Sequence, residues 1–203
     1  MFSFDNFLVR AKTRLLSEPA SHWDFSDDDL NAKVRMIPAG VKPQSAAVLV
    51  PIILRDEPTV MLTQRHAGLS KHAGQIAFPG GRIDQDETPS QAALREANEE
   101  VGLASSYVQA LGYLPSYLTV TAYQVVPVVV VVKLGFVLNL QRDEVDDVFE
   151  VPLSFLMSSE NCQRRSHDWQ GVARHYYFYQ FGDRHIWGAT AGMIRSLHEQ
   201  IYS

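Results

Sequence analysis

The stretch from Gly81 to Leu103 reads GRIDQDETPSQAALREANEEVGL, and the interpretation of the whole chain starts from it. Its second half predicts a helix with defined ends. Thr88 is a favourable N-cap, Pro89 suits the first helical position, and Gln91 completes a capping box. Gly102 stands where a left-handed residue would terminate the helix.

This predicted helix has two chemically different faces. Apolar residues recur at helical spacing and predict a buried stripe: Ala93, Leu94, Ala97 and Val101. Glu96, Glu99 and Glu100 stand at i, i+3 and i+4 and therefore share another face. Like charges at this spacing destabilise a helix by roughly 0.2–0.5 kcal/mol per pair. The helix contains no lysine, and Arg95 is its only cation.

A hard divalent cation would reverse the cost of grouping these acids. Mg²⁺ prefers oxygen ligands and typically binds through one or two carboxylates plus substrate phosphates. The alternative is a solvated acidic face on an ordinary amphipathic helix. Gly81, Glu87, Arg95 and Gly102, at fixed offsets from the three acids, favour a metal site aimed at a phosphate.

The full pattern resembles a complete Nudix box. It runs from Gly81 over five residues to Glu87, and over seven more to Arg95 and the segment ending at Leu103. Ala97 occupies a position that usually holds a larger aliphatic residue. The resemblance implies a Nudix hydrolase, which cleaves a nucleoside diphosphate linked to another group and uses Mg²⁺ or Mn²⁺.

The resemblance also implies roles for individual residues. Glu96 and Glu100 are the expected metal ligands, and Glu99 is a further ligand or positions the attacking water. Arg95 and Glu87 are expected to pair and fix the helix against the preceding loop. For the catalytic base we consider Glu99 and Glu144, because Nudix enzymes often place a base or extra ligand on a downstream loop. The alternative for Glu144 is a surface acid.

The segment before the box adds a predicted phosphate site. Residues 60–63 are typical of a strand, and Arg65 follows at its end. Gly74 and the Gly80–Gly81 pair allow sharp turns and close approach of the backbone to a ligand. The predicted substrate-binding residues are Arg65, Gly74, Phe78, Gly80 and Gly81.

This segment resembles the motif of the coenzyme A pyrophosphatase branch of the Nudix family. The matching positions are Leu62, Thr63, Arg65, Gly74, Phe78, Pro79, Gly80 and Gly81. His66 replaces an expected Ser or Ala, and Ser70 replaces an expected Arg. Coenzyme A carries a 3′-phosphate, which arginine is suited to bind, so Ser70 bears on substrate choice. Lys71 and His72 lie beside it.

The predicted activity is therefore cleavage of the coenzyme A pyrophosphate bond, giving 3′,5′-ADP and 4′-phosphopantetheine. Three alternatives remain within the family: ADP-ribose, a dinucleotide or a modified nucleoside triphosphate as substrate. A non-catalytic Nudix-fold binding module is the alternative from another class. Such modules commonly lose metal-ligand acids, which this box retains.

Composition bears on the partners and the cellular compartment that we expect for this protein. The net charge of −5 and pI near 5.8 argue against nucleic acid as a partner. A single cysteine, Cys162, excludes an intrachain disulfide and is consistent with a cytoplasmic protein. The most apolar run, Val125 to Val132, is far too short to cross a bilayer, so we expect no membrane association. A homodimer is left open.

The order of elements predicts one catalytic domain with a short extension. Residues 1–40 are expected to form a helix, Phe4 to Leu16, and an extension packed on a hydrolase domain at 41–203. The run Asp27 to Asp29 is expected to be a solvated turn or helix cap. Further elements are predicted as strands at 46–54, 60–64, 108–114, 123–132, 148–151 and 174–181, and a final helix at 190–201. This order favours an α/β fold (α+β), specifically the α/β/α sandwich with a mixed β-sheet that the Nudix resemblance implies.

Overall fold

The computed structural model describes residues 2–31, 40, 42–169 and 171–203. The helices are α1 (Phe4–Arg14), α2 (Pro89–Val101), α3 (Leu153–Leu156) and α4 (Gly188–Tyr202). The strands are β1 (Trp23–Ser26), β2 (Gln44–Ile53), β3 (Thr59–Arg65), β4 (Ile76–Ala77), β5 (Gly80–Arg82), β6 (Val108–Tyr113), β7 (Ser116–Leu118), β8 (Tyr123–Val132), β9 (Val145–Pro152), β10 (Gln163–Trp169), β11 (Val172–Phe181) and β12 (Arg184–Trp187).

The larger sheet is mixed, as the sequence predicts. Its main path is β1-β7-β8-β2-β3-β4, with β5 paired to β2, β6 to β8 and β9 to β3. The long strands β2 and β8 run parallel in unbroken register from Gln44↔Tyr123 to Ile53↔Val132. The pairs β2–β3, β2–β5, β6–β8 and β3–β9 are antiparallel.

Strand β8 is buried on both faces, and its alternation defines the layers. One set of its valines packs with the apolar side of α2: Val126, Val128, Val130 and Val132. The other set lies in the core shared with α1 and α4: Val125, Val129 and Val131. Because helices cover both faces of the sheet, the predicted α/β/α sandwich is confirmed.

Pro127 sits in β8 between the residues that pair with β6 and those that pair with β7. Strand β6 pairs with β8 as far as Val128, and β7 pairs with Val125 and Gln124. The carbonyl of Pro127 accepts from Leu114 N at 3.0 Å, in the connection between β6 and β7. A residue's N–H and C=O point to the same side of a strand, so the N–H that Pro127 lacks would also face this connection. The missing donor therefore falls where β7 replaces β6 as the partner of β8.

Helix α2 has the predicted ends. The Thr88 side chain accepts from Gln91 N at 3.3 Å, and the Gln91 side chain accepts from Thr88 N at 2.9 Å. Gly102 adopts the left-handed conformation with φ 74°. Ala93, Ala97 and Val101 are fully buried, together with Ala92, whereas Leu94 is only partly buried.

The extension at the N-terminus packs on the rest of the chain through α1. Phe7 and Ala11 are fully buried in the core that also contains α4. Arg10 Nη1 donates to Ile201 O at 3.3 Å, which favours the carbonyl end of α4. The proposed boundary at 40–41 stays a prediction, because 32–39 and 41 lie outside the described residues. No helix in the described part of the chain is long and apolar enough to span a membrane.

The aspartate run differs from its prediction. The predicted turn follows β1, but Asp27 is only partly exposed. Its carboxylate accepts from Tyr117 Oη at 2.9 Å and from Val120 N at 2.8 Å, and burial raises its pKa. Asp27 therefore ties β1 to β7 and to the turn that follows it.

A second sheet, which the sequence predicts only at its middle strand, packs beside α4. It is antiparallel, with the order β10-β11-β12. Arg184 from β12 donates to Gln64 Oε1 and Asp147 Oδ2 and stacks on the Phe149 ring at 4.6 Å. Thr190 Oγ1 donates to Ile76 O at 3.0 Å. These contacts join the small sheet to β3 and β9, and α4 to β4.

The capping box of α2 gives a test of local stability. Thr88→Ala should lower the free energy of unfolding by about 1 kcal/mol, because an N-terminal amide of the helix loses its acceptor. Urea unfolding followed by circular dichroism measures this. Thr13→Ala, at an exposed position in α1, is the matched control and should change stability by less than about 0.5 kcal/mol. Equal effects of the two changes would contradict a capping contribution.

Candidate active site

Arg95 links the acids of the box. Its Nε and Nη2 donate to the two oxygens of Glu87 at 2.8 and 3.0 Å. Its Nη1 donates to Glu96 Oε1 at 2.9 Å and to Glu99 Oε2 at 3.1 Å. The guanidinium holds the pKa of the Glu87 carboxyl below its usual range. The pairing of Arg95 with Glu87 that the resemblance implies is therefore present, and one cation serves three carboxylates.

The two glycines of β5 let α2 approach the sheet. A Cβ at Gly81 would overlap the Glu96 carboxylate, and a Cβ at Gly80 would overlap Ala47 O and Val48. Gly80 N donates to Glu100 Oε2 at 3.2 Å. Glycine is required at Gly80, where the overlap is with the backbone of β2, whereas the overlap at Gly81 is with the movable end of the Glu96 side chain. The backbone of β5 thereby lies directly beneath two of the acids.

Glu100 is the buried member of the cluster. The residue is 4% exposed, and burial raises the pKa of its carboxyl to about 8. The hydrogen bond from Gly80 and the charge of Arg65, whose Nη1 lies 3.9 Å from Glu100 Oε1, act in the opposite direction. The charges of Glu96 and Glu144 raise this pKa further.

Glu96 and Glu144 complete the concentration of negative charge. Burial raises the pKa of Glu96 against the effect of Arg95, and the charges of Glu99 and Glu144 add to the rise. Glu144 is exposed on the loop between β8 and β9, and its carbonyl accepts from His66 N at 2.8 Å. Four glutamates therefore influence one another at the β5 side of α2.

The donor set fits a hard divalent cation. In the part of the chain that the structure describes, no three His, Cys, Asp or Glu side chains already stand as a ligand cage. Glu96 and Glu99 are turned toward Arg95 instead, and Glu100 toward Gly80. The cluster nevertheless offers only oxygen donors, which suit Mg²⁺ and Mn²⁺. A cation would replace the proton that the buried Glu100 carboxyl favours.

The predicted substrate-binding residues surround this cluster in different ways. Arg65 lies at the end of β3, and its Nε is buried without a hydrogen-bond partner among the described residues. Gly74, with φ 68°, turns the chain between β3 and β4. Phe78 is 3% exposed within the core, where it anchors the segment before Gly80. Substrate contact by any of these residues stays a prediction.

Two contacts beside the site were not predicted from the sequence. Arg82 donates to Tyr123 Oη at 3.0 Å, directly after Gly81. His66 Nδ1 lies 2.6 Å from Asp146 Oδ1, although 80 positions separate the two residues. The sequence marks His66 as a departure from the branch pattern, but no local signal identifies Asp146 as its partner.

Comparison with known proteins gives consistent results. The family model described as the NUDIX domain matches residues 43–178. The chain is 42% identical over 167 residues to the uncharacterized Nudix hydrolase NudL of Klebsiella pneumoniae (strain 342), covering 78% of this chain and 83% of the relative. The protein of the same name from Escherichia coli (strain K12) is 42% identical over 159 residues, with the same coverage.

One solved structure supports the fold. A MutT/nudix family protein from Enterococcus faecalis aligns with a TM-score of 0.52 and 18% identity, over 81% of this chain and 64% of that chain. At this identity the likeness concerns the fold alone.

The Arg95–Glu87 pair gives a test that is separate from turnover. Glu87→Gln should weaken Mn²⁺ binding by about 10- to 100-fold, because Arg95 loses its two-point partner and is freer to compete for Glu96 and Glu99. Titration followed by electron paramagnetic resonance measures the affinity. The matched control is Asp84→Asn, since Asp84 is exposed and 3.8 Å from the same arginine. Unchanged affinity in Glu87→Gln would refute this role.

Glu100 should make the cation-free protein less stable as pH rises. Its folded pKa of about 8 exceeds the ordinary 4.5. The stabilising contribution of the protonated Glu100 carboxyl to folding is therefore fully present below about pH 4.5 and is lost as pH rises through 8. With a chelator at about pH 8, Glu100→Gln should be more stable than the unaltered protein by on the order of a few kcal/mol.

The difference in stability between Glu100→Gln and the unaltered protein should shrink toward about pH 5, where the Glu100 carboxyl of the folded protein holds its proton. Adding Mg²⁺ at the higher pH should stabilise only the unaltered protein strongly, because binding adds to its folding free energy. Urea unfolding at the two pH values, with chelator and with Mg²⁺, measures both effects. A stability difference that does not vary with pH would contradict the burial argument.

Proposed function

The chain belongs to the Nudix hydrolase family, and from this premise we propose that it cleaves the pyrophosphate bond of coenzyme A or its derivatives. The products are 3′,5′-ADP and 4′-phosphopantetheine. One observation carries the proposal. The segment that resembles the coenzyme A branch ends on the acidic cluster, with Arg65 Nη1 3.9 Å from Glu100 Oε1 and Gly80 N donating to the same carboxylate.

The acids of α2 supply the cation site. Nudix hydrolases generally use divalent cations, and here Glu96, Glu99 and Glu100 would hold one, with Mg²⁺ or Mn²⁺ suited to their oxygens. When bound, the cation withdraws electron density from the phosphoryl oxygens and favours attack by water. We assign Arg95 and Glu87 as positioning residues, because Arg95 bonds Glu87 on one side and the carboxylates of Glu96 and Glu99 on the other.

The phosphates would lie between β3 and β5. Arg65 has a buried Nε without a partner in the described residues and a loose ion pair with Glu100, so its guanidinium has donors to offer. Arginine donates to phosphate oxygens in a fixed planar geometry. Gly80 and Gly81 present backbone without side chains at the same place, which supports their assignment to substrate binding. Gly74 shapes the preceding loop.

Glu144 is the better of the two candidate bases. Glu99 accepts a hydrogen bond from Arg95 at 3.1 Å, so one of its oxygens is already engaged by a cation. Among the described residues, no side chain donates a hydrogen bond to the Glu144 carboxylate. It is exposed and close enough to the cluster to raise the pKa of Glu96 and Glu100. We therefore assign removal of the water proton to Glu144 and a ligand role to Glu99.

The second candidate function is hydrolysis of another diphosphate, such as ADP-ribose, a dinucleotide or a modified nucleoside triphosphate. Ser70 favours it, because this exposed residue stands where the coenzyme A branch has arginine. A non-catalytic binding module is opposed by the complete set of box acids. The charge and cysteine content support a cytoplasmic enzyme with a small nucleotide substrate and no nucleic-acid or membrane partner. A homodimer stays a prediction.

The proposal is tested by incubating the purified protein with Mg²⁺ or Mn²⁺ and separating the products. The substrates are coenzyme A, dephospho-coenzyme A, ADP-ribose, NADH and nucleoside triphosphates. Coenzyme A and its dephospho form should be cleaved fastest and at similar kcat/KM, because Ser70 offers no cation to the 3′-phosphate. Glu100→Gln should reduce kcat by on the order of 10³.

Faster cleavage of ADP-ribose or a triphosphate would keep the enzyme class and discard the substrate. No cleavage of any diphosphate would instead favour the binding module. Near-normal turnover of Glu100→Gln with saturating Mg²⁺ would refute the ligand role of that residue.

A further inference from the structure

We propose that His66 and Asp146 are positioning residues that hold Glu144 in place beside the acids of α2. This inference rests on the proposed function, in which Glu144 removes the proton from the attacking water. Neither residue touches the reacting atoms, so both act through Glu144. The segment concerned, residues 139–146, is called the Glu144 loop below.

His66 contacts the Glu144 loop at two points. Its backbone N donates to Glu144 O at 2.8 Å, and its ring Nδ1 lies 2.6 Å from Asp146 Oδ1. The second oxygen of Asp146 accepts from Ala67 N at 2.9 Å. The His66 contact holds the pKa of the Asp146 carboxyl below its usual range, and Ala67 adds to the effect. The residues on both sides of Val145 are thus attached to the end of β3.

A strand irregularity directs Asp146 toward this contact. In the pairing of β3 with β9, Gln64 lies opposite Asp147 and Arg65 opposite Val145, so Asp146 is the extra residue. Such a bulge changes the direction of a side chain and is common next to active sites. Asp146 is therefore free of the regular alternation of β9 and can receive His66.

The other end of the Glu144 loop is attached to α2. Asn139 N donates to Val101 O and Gln141 N donates to Glu100 O, both at 2.9 Å. Glu144 N then donates to Gln141 O at 2.9 Å and closes a turn. These bonds use carbonyls that the helix end would otherwise leave without partners. The loop is held at one end by the helix that carries the acids and at the other by the strand that carries Arg65.

Because the carboxylate of Glu144 is exposed, its position depends on this backbone support. A misplacement of about 1 Å in a reacting group can cost about 100-fold in rate. Loss of the His66–Asp146 contact should therefore lower kcat while leaving KM nearly unchanged, since the groups assigned to the phosphates remain.

The test compares Asp146→Asn and His66→Ala with a matched control on the same strand. Glu150→Gln also converts a carboxylate of β9 to an amide and breaks an ion pair, that of Arg55 at 2.7 Å, but at the opposite end of β9 from Glu144. Asp146→Asn and His66→Ala should each lose about tenfold or more in kcat, with KM within about twofold. Glu150→Gln should retain the kcat of the unaltered protein.

A double-variant comparison separates positioning from general loosening of the fold. If Asp146 acts through Glu144, then Asp146→Asn should cause no further loss of kcat in a Glu144→Gln background. An equal loss in both backgrounds would overturn the proposal, as would normal kcat in Asp146→Asn.

Amide hydrogen exchange gives a readout that does not need activity. Asp146→Asn should speed exchange at the amides of residues 139–146 and at His66, whereas Glu150→Gln should not. Unchanged exchange in Asp146→Asn would refute the proposal that the His66–Asp146 contact holds the Glu144 loop in place. Inactivity of the unaltered protein on every diphosphate would refute the proposed function. Hydrogen exchange would then test only whether the His66–Asp146 contact holds the Glu144 loop.

Discussion

The rest of the site depends on one guanidinium, that of Arg95, which allows several carboxylates to share one edge of α2. It donates to Glu87, Glu96 and Glu99, and its Nη2 also donates to Arg82 O at 3.1 Å. The helix, the loop before it and β5 are thereby joined at one cation. The absence of side chains at Gly80 and Gly81 brings the sheet close enough for this arrangement to be shared with Glu100.

The same arrangement divides the acids by environment. Glu87 is bound on both oxygens by a cation and has a lowered pKa, whereas Glu100 is buried with a single backbone donor and has a raised one. A buried carboxyl without a full set of partners costs folding free energy. The protein tolerates this cost in a layered core that is closed on both faces of β8, and in the proposed function a bound cation would offset it.

Local patterns predicted the elements that lie nearest the chemistry. The ends of α2 are encoded by Thr88, Gln91 and Gly102, and β8 by its run of valines, because each signal lies within the element itself. The strand β10, with the sequence QRRSHDW, has no apolar alternation and was not predicted. Its formation depends on pairing with β11.

The polar contacts between residues far apart in the chain also could not be predicted from the sequence. The partners Asp27 and Tyr117 are 90 positions apart, and nothing near Asp27 distinguishes a buried carboxylate from a solvated one. The box acids that the resemblance groups do lie near one another in the structure, but the contact between His66 and Asp146 arises only from the way β3 and β9 pair.

Pro127, by contrast, has a consequence outside the folded state. The run from Val125 to Val132 has the high β-propensity, low charge and apolar character of segments that stack into intermolecular sheets. Its native parallel partner β2 lies far away in the chain, and pairing of such distant strands is slow, so these valines stay exposed in the unfolded chain until β2 and β8 meet. Pro127 stands where β8 passes from one partner strand to the next, interrupts that run in the unfolded chain, and so acts as a gatekeeper against aggregation.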